Sequence, residues 1–329
     1  MPAQPDLDFT LPADAPAMRL DAALAPLLPG LGLRARRRLW TWSKILVNGQ
    51  ERRPGFMVRG GDRIQLQGAM ATEPAPLLGI RLVELEAGLA ALYKPAGLHS
   101  AHIMACPEPS LESLLPALWP ELLRHWRALR QQPGAPGGIF QNEAETTSPD
   151  NTPALLTRLD RATSGLVLTA LDAQAGARFR RHEKQGLARK SYLALLAGHL
   201  ERDLRLDFRL DTDGGAISRV LDCREADPAR HTLAEPLARA ALTENGPTPD
   251  ADGPFTLARV RIFRGARHQI RAHLAAAGFP LLGEWLYAPA AQEARPLYLH
   301  HAALEAPDFA ARCLPVWLEN WPGSEAISL

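Results

Sequence analysis

The chain has 329 residues, of which 46% are hydrophobic and 22% are charged, and its 37 basic side chains nearly balance its 36 acidic ones. This composition is typical of a soluble globular protein with one large domain or two unequal ones, and the overall charge neither favours nor excludes a nucleic-acid partner. Three widely separated cysteines exclude a disulfide framework and a CxxC zinc site, so we expect a cytoplasmic protein without a metal.

The N-terminal region is predicted to hold a leader and a small compact unit. Residues 1–17 are Pro-rich and acidic and lack the features of a signal peptide, so we expect a flexible leader. In residues 18–68, helical apolar spacing precedes a basic helix in "LRARRRLWTWSKI" and strands in "ILVNGQ" and "GDRIQLQ", with an Asn-Gly turn after the first strand. Residues 69–79 have the composition of a linker.

Residues 80–329 are predicted to form a larger α+β domain. Two strands joined by a turn come first, followed by a helical stretch, a helix that leads into the strand "RKSYLALLAGHL", and a helix in "HQIRAHLAAAG" that ends at Gly278. Residues 131–153 and 244–254 have the composition of inserts. Separate helices without regular βα alternation favour α+β over a doubly wound sheet, and no apolar run is long enough to span a membrane.

The stretch "TRLDRATSG" places one carboxylate, Asp160, between Arg158 and Arg161. A buried carboxylate needs a partner or becomes neutral, and on an extended segment Arg158 shares a face with Asp160. The local spacing alone favours an ordinary ion pair in a loop, and it leaves open a reactive acid held in a pocket. No evident second carboxylate and no HExxH, GxSxG or P-loop pattern supports paired-acid hydrolysis or a phosphate cradle.

A second polar stretch, "RVRIFRGARHQIRAH", contains five arginines and two histidines. A helix begins near its end, so that His268 and Arg271 lie at i and i+3 on one face. The two histidines lack the spacing of a zinc site. The arginines are typical of a solvated basic face, and they suit contacts with phosphate groups equally well.

The predicted basic helix interleaves cations with two tryptophans, as on surfaces that bind nucleic acid. The alternative is an amphipathic helix with its tryptophans in the core, and both interpretations hold together if the arginines face outward. Further along, Tyr192 begins an apolar strand, where a tyrosine usually serves packing. The candidate RNA-binding residues of the basic helix are Arg34, Arg36, Arg37, Arg38 and Lys44.

Taken in order, five stretches resemble the RluA-type RNA pseudouridine synthases: "YKPAGLHSAH", "TRLDRATSGLVL", "RKSYLALLAGHL", "GARHQIRAHLAAAGFPLLGEWLY" and "LYLHHAAL". The resemblance runs from about Leu82 to Pro307, and its second and fourth stretches are long and specific. Residues 18–67 resemble the small S-four-like RNA-binding domain, which is named after a ribosomal protein of the small subunit. The signs of that domain are "RLDAAL", "ILVNG" and "VRGGDRI", and it commonly precedes this catalytic domain.

The resemblance implies a mixed, mainly antiparallel catalytic sheet with flanking helices, an RNA substrate and no cofactor. It implies that Asp160 attacks the target uridine, that Tyr192 stacks on the uracil and assists proton removal, and that Arg271 pairs with the aspartate. Arg158 is expected to hold the extruded nucleotide and to occupy its vacated place in the RNA. Further implied substrate-binding residues are Lys94, Thr163, Ser164, Gly165, His268, Gln269 and Ile270, with Ile270 or Leu299 packing against the base.

The chain departs from the family pattern at four positions near the expected cleft. Thr157 stands where His is common, Tyr93 where Asn is common, and Glu284 where Asp is common. The residue after Gly265 is not basic, although Arg267 follows. None of these changes removes a matched catalytic group, but they leave the choice of substrate open.

The N-terminal unit favours large-subunit ribosomal RNA as the substrate, and transfer RNA is the alternative. Two other functions stay open: an RNA-binding ribosome-assembly factor without catalysis, and a hydrolase that uses Asp160 to cleave the glycosidic bond of a free nucleoside. The presence of all the matched catalytic side chains argues against the first, and the basic N-terminal unit argues against the second. The sequence indicates no obligate protein partner and no membrane association.

Overall fold

The computed structural model of the chain describes residues 7–24, 44–67, 79–101, 109–115, 118, 122, 154–213, 217–244, 246–288, 296–324, 327 and 329. The chain forms two compact units. The first comprises Met1–Leu78, His102–Ala154 and Leu171–Ala173, and the second comprises Gly79–Ala101, Leu155–Ala170 and Gln174–Leu329. Among the described residues, no helix has the length and apolar character that crossing a membrane requires.

The first unit contains a four-stranded antiparallel sheet in the order β1-β6-β3-β4 and a separate pair of short strands, β2 and β5. The turn between β3 and β4 holds Asn48 and Gly49 at φ values of 51° and 81°, which confirms the predicted Asn-Gly hairpin. Side chains such as Leu20, Ile45 and Ile64 form its core. The elements are β1 Leu7–Thr10, β2 Met18–Arg19, α1 Leu20–Ala23, β3 Lys44–Val47, β4 Gln50–Glu51, β5 Met57–Val58 and β6 Arg63–Gln67.

Within the predicted flexible leader, the structure shows a strand. Residues 7–10 form β1, which pairs with β6, and Leu11 is buried in the core of this unit. The pairing joins segments more than fifty residues apart, so the local composition of the leader does not reveal it. Most of the predicted basic helix lies outside the described residues, and its last two residues begin β3. The resemblance of this unit to the S-four-like domain stays a prediction.

Eleven of the remaining strands build a mixed sheet, which confirms the α+β class, and β13 and β14 form a separate two-stranded sheet. The main strand order is β12-β15-β17-β11-β18-β10-β8-β7, with β16 beside β15, β19 beside β18 and β9 beside β10. The pair β10 and β18 is parallel, and its neighbours in the order are antiparallel. The strands are β7 Arg81–Glu86, β8 Leu89–Lys94, β9 Ala154–Leu155, β10 Ser164–Ala170, β11 Arg189–Ala197, β12 Leu204–Leu206, β13 Phe208–Asp211, β14 Arg219–Arg224, β15 Thr232–Thr243, β16 Gly246–Pro249, β17 Phe255–Ile262, β18 Leu299–Ala306 and β19 Phe309–Arg312.

Within the part of the chain that the structure describes, two helices accompany this sheet, α2 Ala173–Lys184 and α3 Gln269–Ala276. Gly278, at φ 85°, ends α3 in a Schellman cap, because its N–H donates to the Ala275 carbonyl and the N–H of Phe279 donates to the Leu274 carbonyl. This confirms the predicted Gly cap. Short 3-10 helices span Pro228–Arg230 and Val316–Leu318.

β11 lies in the middle of the sheet and is buried on both faces, because successive side chains of a strand point to opposite sides. Tyr192 and Leu196 pack with Ile270 of α3 in one cluster, whereas Leu193 and Leu195 belong to another. A strand that is covered on both faces needs a near-continuous apolar run, which the sequence supplies here. The core therefore holds Tyr192 rigidly at the start of this strand.

The two predicted inserts differ in what the structure shows of them. Residues 244–254 include β16, which pairs with β15 as a hairpin and extends the sheet. Residues 131–153 lie outside the described residues. Of the helical stretch predicted before them, residues 111–115 are helical.

Gly165 permits the parallel pairing of β10 with β18. It lies opposite His301 with φ 115°, and a Cβ atom at this position would lie 2.3 Å from the carbonyl oxygen of His301 and 2.6 Å from its nitrogen. No other residue type fits such a close approach of two backbones. Gly165, predicted as a substrate-binding residue, thus has a structural place in strand pairing.

Replacing Gly165 with alanine should lower the free energy of unfolding by more than about 3 kcal/mol, because strain from the positive φ adds to the overlap with His301. Gly278→Ala is the matched control. Its φ is 85° and a Cβ atom there meets nothing within 4 Å, so backbone strain of about 1 kcal/mol is the whole cost. Urea unfolding measures both values, and equal losses would contradict this account of Gly165.

Candidate active site

Asp160 lies on a loop that enters β10, here called the aspartate loop (residues 157–163). At its start, the Thr157 hydroxyl accepts a hydrogen bond of 2.8 Å from a backbone N–H of β10. Beside the acid, the Ser100 hydroxyl donates to the carbonyl of Leu159 over 2.8 Å and accepts from the N–H of the same residue over 2.9 Å. These bonds fix the backbone that carries the carboxylate.

A neighbouring loop, residues 95–101, is hydrogen-bonded to the aspartate loop. The N–H of Gly97 donates to the carbonyl of Arg161 over 2.7 Å, and the Arg161 Nε donates back to the Gly97 carbonyl over 3.0 Å. Lys94 is fully buried, and its Nζ donates to two carbonyls of the neighbouring loop at 2.8 Å each and to that of Arg161 at 3.4 Å. Lys94, which was predicted to bind substrate, is therefore buried and joins the two loops through its hydrogen bonds.

The carboxylate of Asp160 faces an arginine that a second carboxylate holds in place. The Arg271 Nη1 donates to Asp160 Oδ2 over 3.2 Å, and its Nε and Nη2 donate to the two oxygens of Glu284 at 2.8 Å each. The exposed fractions of the side chains are 0% for Glu284, 4% for Arg271 and 23% for Asp160. Of these three groups, Asp160 alone keeps appreciable contact with solvent.

This arrangement keeps Arg271 charged in a buried place. Burial by itself lowers the pKa of Arg271, but the hydrogen bonds and charge of Glu284, followed by those of Asp160, raise the pKa above its ordinary value. The guanidinium also lies over the ring of Trp285, with 4.9 Å between its carbon and the ring centroid, and 5.8 Å from the ring centroid of Tyr287. A permanent cation thus faces Asp160.

Glu284 is one methylene longer than the Asp that is common in the family, and the structure shows that the longer side chain still reaches Arg271 with both oxygens. One of these oxygens also accepts from the backbone N–H groups of Leu286 over 2.9 Å and Tyr287 over 3.3 Å. A buried carboxylate with this many donors has its hydrogen-bonding capacity filled. The change from Asp to Glu is therefore accommodated without loss of the ion pair.

His268 stands at the N-terminus of α3 with a left-handed φ of 55°, which is uncommon outside glycine. Its Nε2 lies 3.8 Å from Asp160 Oδ1, and its Nδ1 lies 3.0 Å from the hydroxyl of Tyr287. Burial lowers the pKa of His268, and the positive charge of Arg271 lowers it further, against the opposing pull of Asp160. The ring is therefore a neutral neighbour of the acid near pH 7.

Tyr192 is 6% exposed, and its ring stacks on His301 across the β11–β18 pair, with 4.6 Å between the centroids and 19° between the planes. Burial lowers the pKa of His301 to about 3, so the stacked imidazole is neutral. Burial also raises the pKa of Tyr192, and the negative charge of Asp160 raises it further, so Tyr192 is a neutral phenol. The Tyr192 hydroxyl has no hydrogen-bond partner within the described part of the chain. Both candidates for apolar packing, Ile270 and Leu299, lie in the same cluster as Tyr192.

Three further predicted substrate-binding residues are buried within the protein. The Gln269 carboxamide donates to a carbonyl and a hydroxyl on the approach to β15, at 2.8 and 3.0 Å, and accepts a backbone N–H at 2.9 Å. The Ser164 hydroxyl lies 2.8 Å from Nδ1 of the buried His300. Thr163 is buried, and its hydroxyl has no hydrogen-bond partner in the described residues. The structure thus places these three side chains in the interior, where Gln269 and Ser164 have partners within the protein.

The two sets of predicted RNA contacts are placed differently. Arg158 is exposed at the start of the aspartate loop and makes no hydrogen bond or ion pair with any residue that the structure describes. Lys44 is exposed at the start of β3 in the first unit. Arg34, Arg36, Arg37 and Arg38 lie outside the described residues.

The sequence reasoning missed four residues that build the site: Ser100, Ser218, Trp285 and Tyr287. The Tyr287 hydroxyl accepts from the N–H of Ser218 over 3.0 Å, and the Ser218 hydroxyl donates to the carbonyl of Arg267 over 2.6 Å, which ties β14 to the start of α3. Trp285 and Tyr287 lie at the end of the stretch "GEWLY". Two aromatic residues that closely follow an acidic one were the sequence signal that could have identified them. Within the described ranges, no group of three or more His, Cys, Asp or Glu side chains is placed to hold a metal ion.

Replacing Glu284 with alanine should lower the free energy of unfolding by about 3–5 kcal/mol, because it leaves the buried guanidinium of Arg271 without its main partner. Glu284→Gln keeps the side-chain volume and part of the hydrogen bonding, so its loss should be smaller. Urea unfolding of the three proteins gives the comparison. A loss below about 1 kcal/mol for Glu284→Ala, the value of an exposed pair, would contradict the proposed anchoring.

Lys94 should make stability depend on pH. Burial lowers the pKa of its ammonium group to about 7, against the charge of Asp160, which raises it. Between pH 7 and about 10, the unfolded chain binds a proton that the folded chain has released, so the free energy of unfolding rises with pH. The difference between the wild type and Lys94→Met should therefore shift in favour of the wild type by about 2 kcal/mol from pH 7 to pH 9. A difference in the free energy of unfolding that stays constant between pH 7 and pH 9 would contradict the lowered pKa of Lys94.

Comparisons with known proteins identify the family of the chain. A family model described as RNA pseudouridylate synthase matches residues 88–276, which is more than half of the chain. An uncharacterized RNA pseudouridine synthase of Aquifex aeolicus is 27% identical over 277 residues, covering 82% of this chain and 76% of the relative. The dual-specificity RNA pseudouridine synthase RluA of Pasteurella multocida is 36% identical over 135 residues, covering 40% of this chain and 56% of the relative.

Two further comparisons concern a ribosomal RNA enzyme and a solved structure. The ribosomal large subunit pseudouridine synthase D of Nitrosomonas europaea is 27% identical over 286 residues, covering 85% of this chain and 72% of the relative. The human RNA pseudouridylate synthase domain containing 1 has a TM-score of 0.51 and 19% identity, covering 74% of this chain and 86% of that chain, and this likeness shows the fold alone. The resemblance stated from the five sequence stretches is confirmed: the chain belongs to the RNA pseudouridylate synthase family, whose members are isomerases.

Proposed function

We propose that this chain converts uridine to pseudouridine in structured RNA, with Asp160 as the group that attacks the target nucleotide or acts as its base. The observation that carries the proposal is the buried arrangement of Glu284, Arg271 and Asp160, which presents one partly exposed carboxylate to a fixed cation. A nucleophile or base must be ionised to act, and a neighbouring cation stabilises the ionised form. Asp160 meets this requirement in a site where the second carboxylate is fully buried.

The proposed reaction rearranges one nucleotide without a cofactor. The bond from uracil N1 to ribose C1′ breaks, the base turns over, and a bond forms from uracil C5 to C1′. The proton that leaves C5 is balanced by the proton that N1 gains, so no oxidant or reductant takes part. Proton transfer and positioning are therefore the tasks left to the side chains.

Tyr192 is proposed to pack against the uracil and to orient it beside Asp160. It is a neutral phenol on the rigid strand β11, and its ring is already stacked on His301. The aromatic ring and the adjacent Ile270 and Leu299 suit the flat apolar faces of a base. Because burial raises the pKa of Tyr192, loss of its own proton is unfavourable, and any part it takes in proton removal begins from the neutral form.

The uridine is proposed to leave the RNA stack before it reacts, which costs roughly a few kcal/mol. Arg158 is suited to offset that cost, because it is exposed on the aspartate loop and has no competing partner among the described residues. A guanidinium both pairs with phosphate and stacks on bases. Arg158 is therefore proposed to take the vacated place of the flipped nucleotide.

Large-subunit ribosomal RNA in the cytoplasm is the proposed substrate, and transfer RNA is the alternative. The name of the Nitrosomonas europaea relative refers to the large ribosomal subunit, which supports the first choice, and the Pasteurella multocida relative is named dual-specific. The first unit contributes exposed cations that suit the RNA backbone. These are Lys44, Arg53, Arg59 and Arg63.

Replacing Asp160 with asparagine should abolish pseudouridine formation while RNA binding survives, because asparagine keeps the shape but is neither a nucleophile nor a base. The measurement is release of tritium from RNA labelled at uracil C5, combined with mapping of pseudouridines in total RNA treated with each protein. Sites that appear with the wild type and not with Asp160→Asn identify the substrate.

The same experiment separates the proposal from its alternatives. Turnover by Asp160→Asn would overturn the assignment of Asp160. A wild type that binds RNA without releasing tritium would favour the non-catalytic assembly factor. Release of free uracil from uridine by the wild type would favour the hydrolase.

A further inference from the structure

Trp285 is a large aromatic residue that the protein leaves exposed at the mouth of the candidate active site. Its exposed fraction is 47%, although indole rings are usually well buried. It directly follows Glu284, the fully buried anchor of Arg271, and its ring lies against the Arg271 guanidinium at 4.9 Å. One face of the indole is thus covered by the cation that contacts Asp160, and about half of the residue remains open.

A segment that is hydrogen-bonded to Tyr287, two residues after Trp285, carries an exposed arginine. Tyr287 and Ser218 tie β14 to the start of α3, and Arg219, which follows Ser218, is exposed and makes no ion pair with the described residues. Ile217, on the other side of Ser218, is 43% exposed. An exposed aromatic ring with an exposed cation on a neighbouring segment matches a surface where bases stack and phosphates pair, whereas an apolar protein partner would favour a surface without free charge.

We propose that Trp285 is a stacking platform for a nucleobase next to the target uridine in the RNA. Flipping of the uridine removes a stacking neighbour from the adjacent base, and a flat ring one residue from the Arg271 anchor offers that base a new partner. Trp285 is then a binding residue that helps to select and position the substrate, while Arg219 pairs with the phosphate backbone. The inference rests on the proposed function, because it needs RNA as the substrate.

The test compares Trp285→Leu and Trp285→Phe in the full chain, with total RNA labelled with tritium at uracil C5 as the probe. Trp285→Leu should raise KM about tenfold, with a smaller change in kcat, because stacking is lost while the acid is retained. Trp285→Phe should recover most of the affinity, since it keeps an aromatic ring over Arg271. Leu187→Ala, which removes another exposed apolar side chain (51% exposed), is the matched control and should leave KM unchanged.

A second arm tests the base directly and does not depend on turnover. In the Asp160→Asn background, binding is measured to a stem-loop RNA with one loop uridine and to two copies in which the nucleotide before or after it is abasic. Trp285→Leu should weaken binding to the complete RNA about tenfold and should have no effect on one of the abasic RNAs.

The outcomes distinguish the two proposals. Equal effects of Trp285→Leu on all three RNAs, or a loss confined to kcat and to the free energy of unfolding, would overturn the stacking role and leave Trp285 as a support of Arg271. If the wild type releases no tritium, the proposed function fails, and the binding arm still decides the stacking role. If Trp285→Leu leaves the affinity for one of the two abasic RNAs unchanged, as we expect, the stacking role is supported.

Discussion

The structure of the candidate site depends on one buried charge, the guanidinium of Arg271. An isolated cation in a protein interior is too costly to keep, so two carboxylates and two aromatic rings surround it. Glu284 satisfies the arginine from the buried side, and this leaves Asp160 as the weaker, more exposed partner. The asymmetry matters for the proposed role of Asp160, because a carboxylate that is held too tightly by its cation is a poor nucleophile.

The support of Asp160 is distributed over segments that are distant in the sequence. Ser100, Gly97 and Lys94 hold the backbone of the aspartate loop, while Arg271 orients the carboxylate itself. Each contact is modest in free energy, but together they leave the acid few alternative positions. Precision in this site therefore comes from two rigid loops joined to one sheet rather than from the aspartate loop alone.

Sequence motifs predicted several residues of this site, and the structure revealed the roles of the others. The pairing of His268 and Arg271 on one face of a helix followed from spacing, and both side chains do lie near Asp160. The roles of Lys94 and Gly165 did not follow from the sequence, because a buried ammonium bound to carbonyls and a glycine facing another strand look locally like ordinary loop residues. Their partners, Arg161 and His301, lie 67 and 136 positions away. Strand β1 was missed for the same reason, since its partner β6 is remote in the chain.

The parallel pairing of β10 with β18 has a consequence for how the protein acquires activity. β10 carries the chain directly out of the aspartate loop, and β18 begins at Leu299, far later in the sequence. Until residues near His301 have emerged and paired, the strand below Asp160 lacks one neighbour, and Tyr192 lacks the ring on which it stacks. Because such long-range contacts form late in folding, the surroundings of Asp160 are complete only after β18 has joined the sheet. A chain that lacks β18 therefore lacks part of the framework that holds Asp160 and Tyr192 in place.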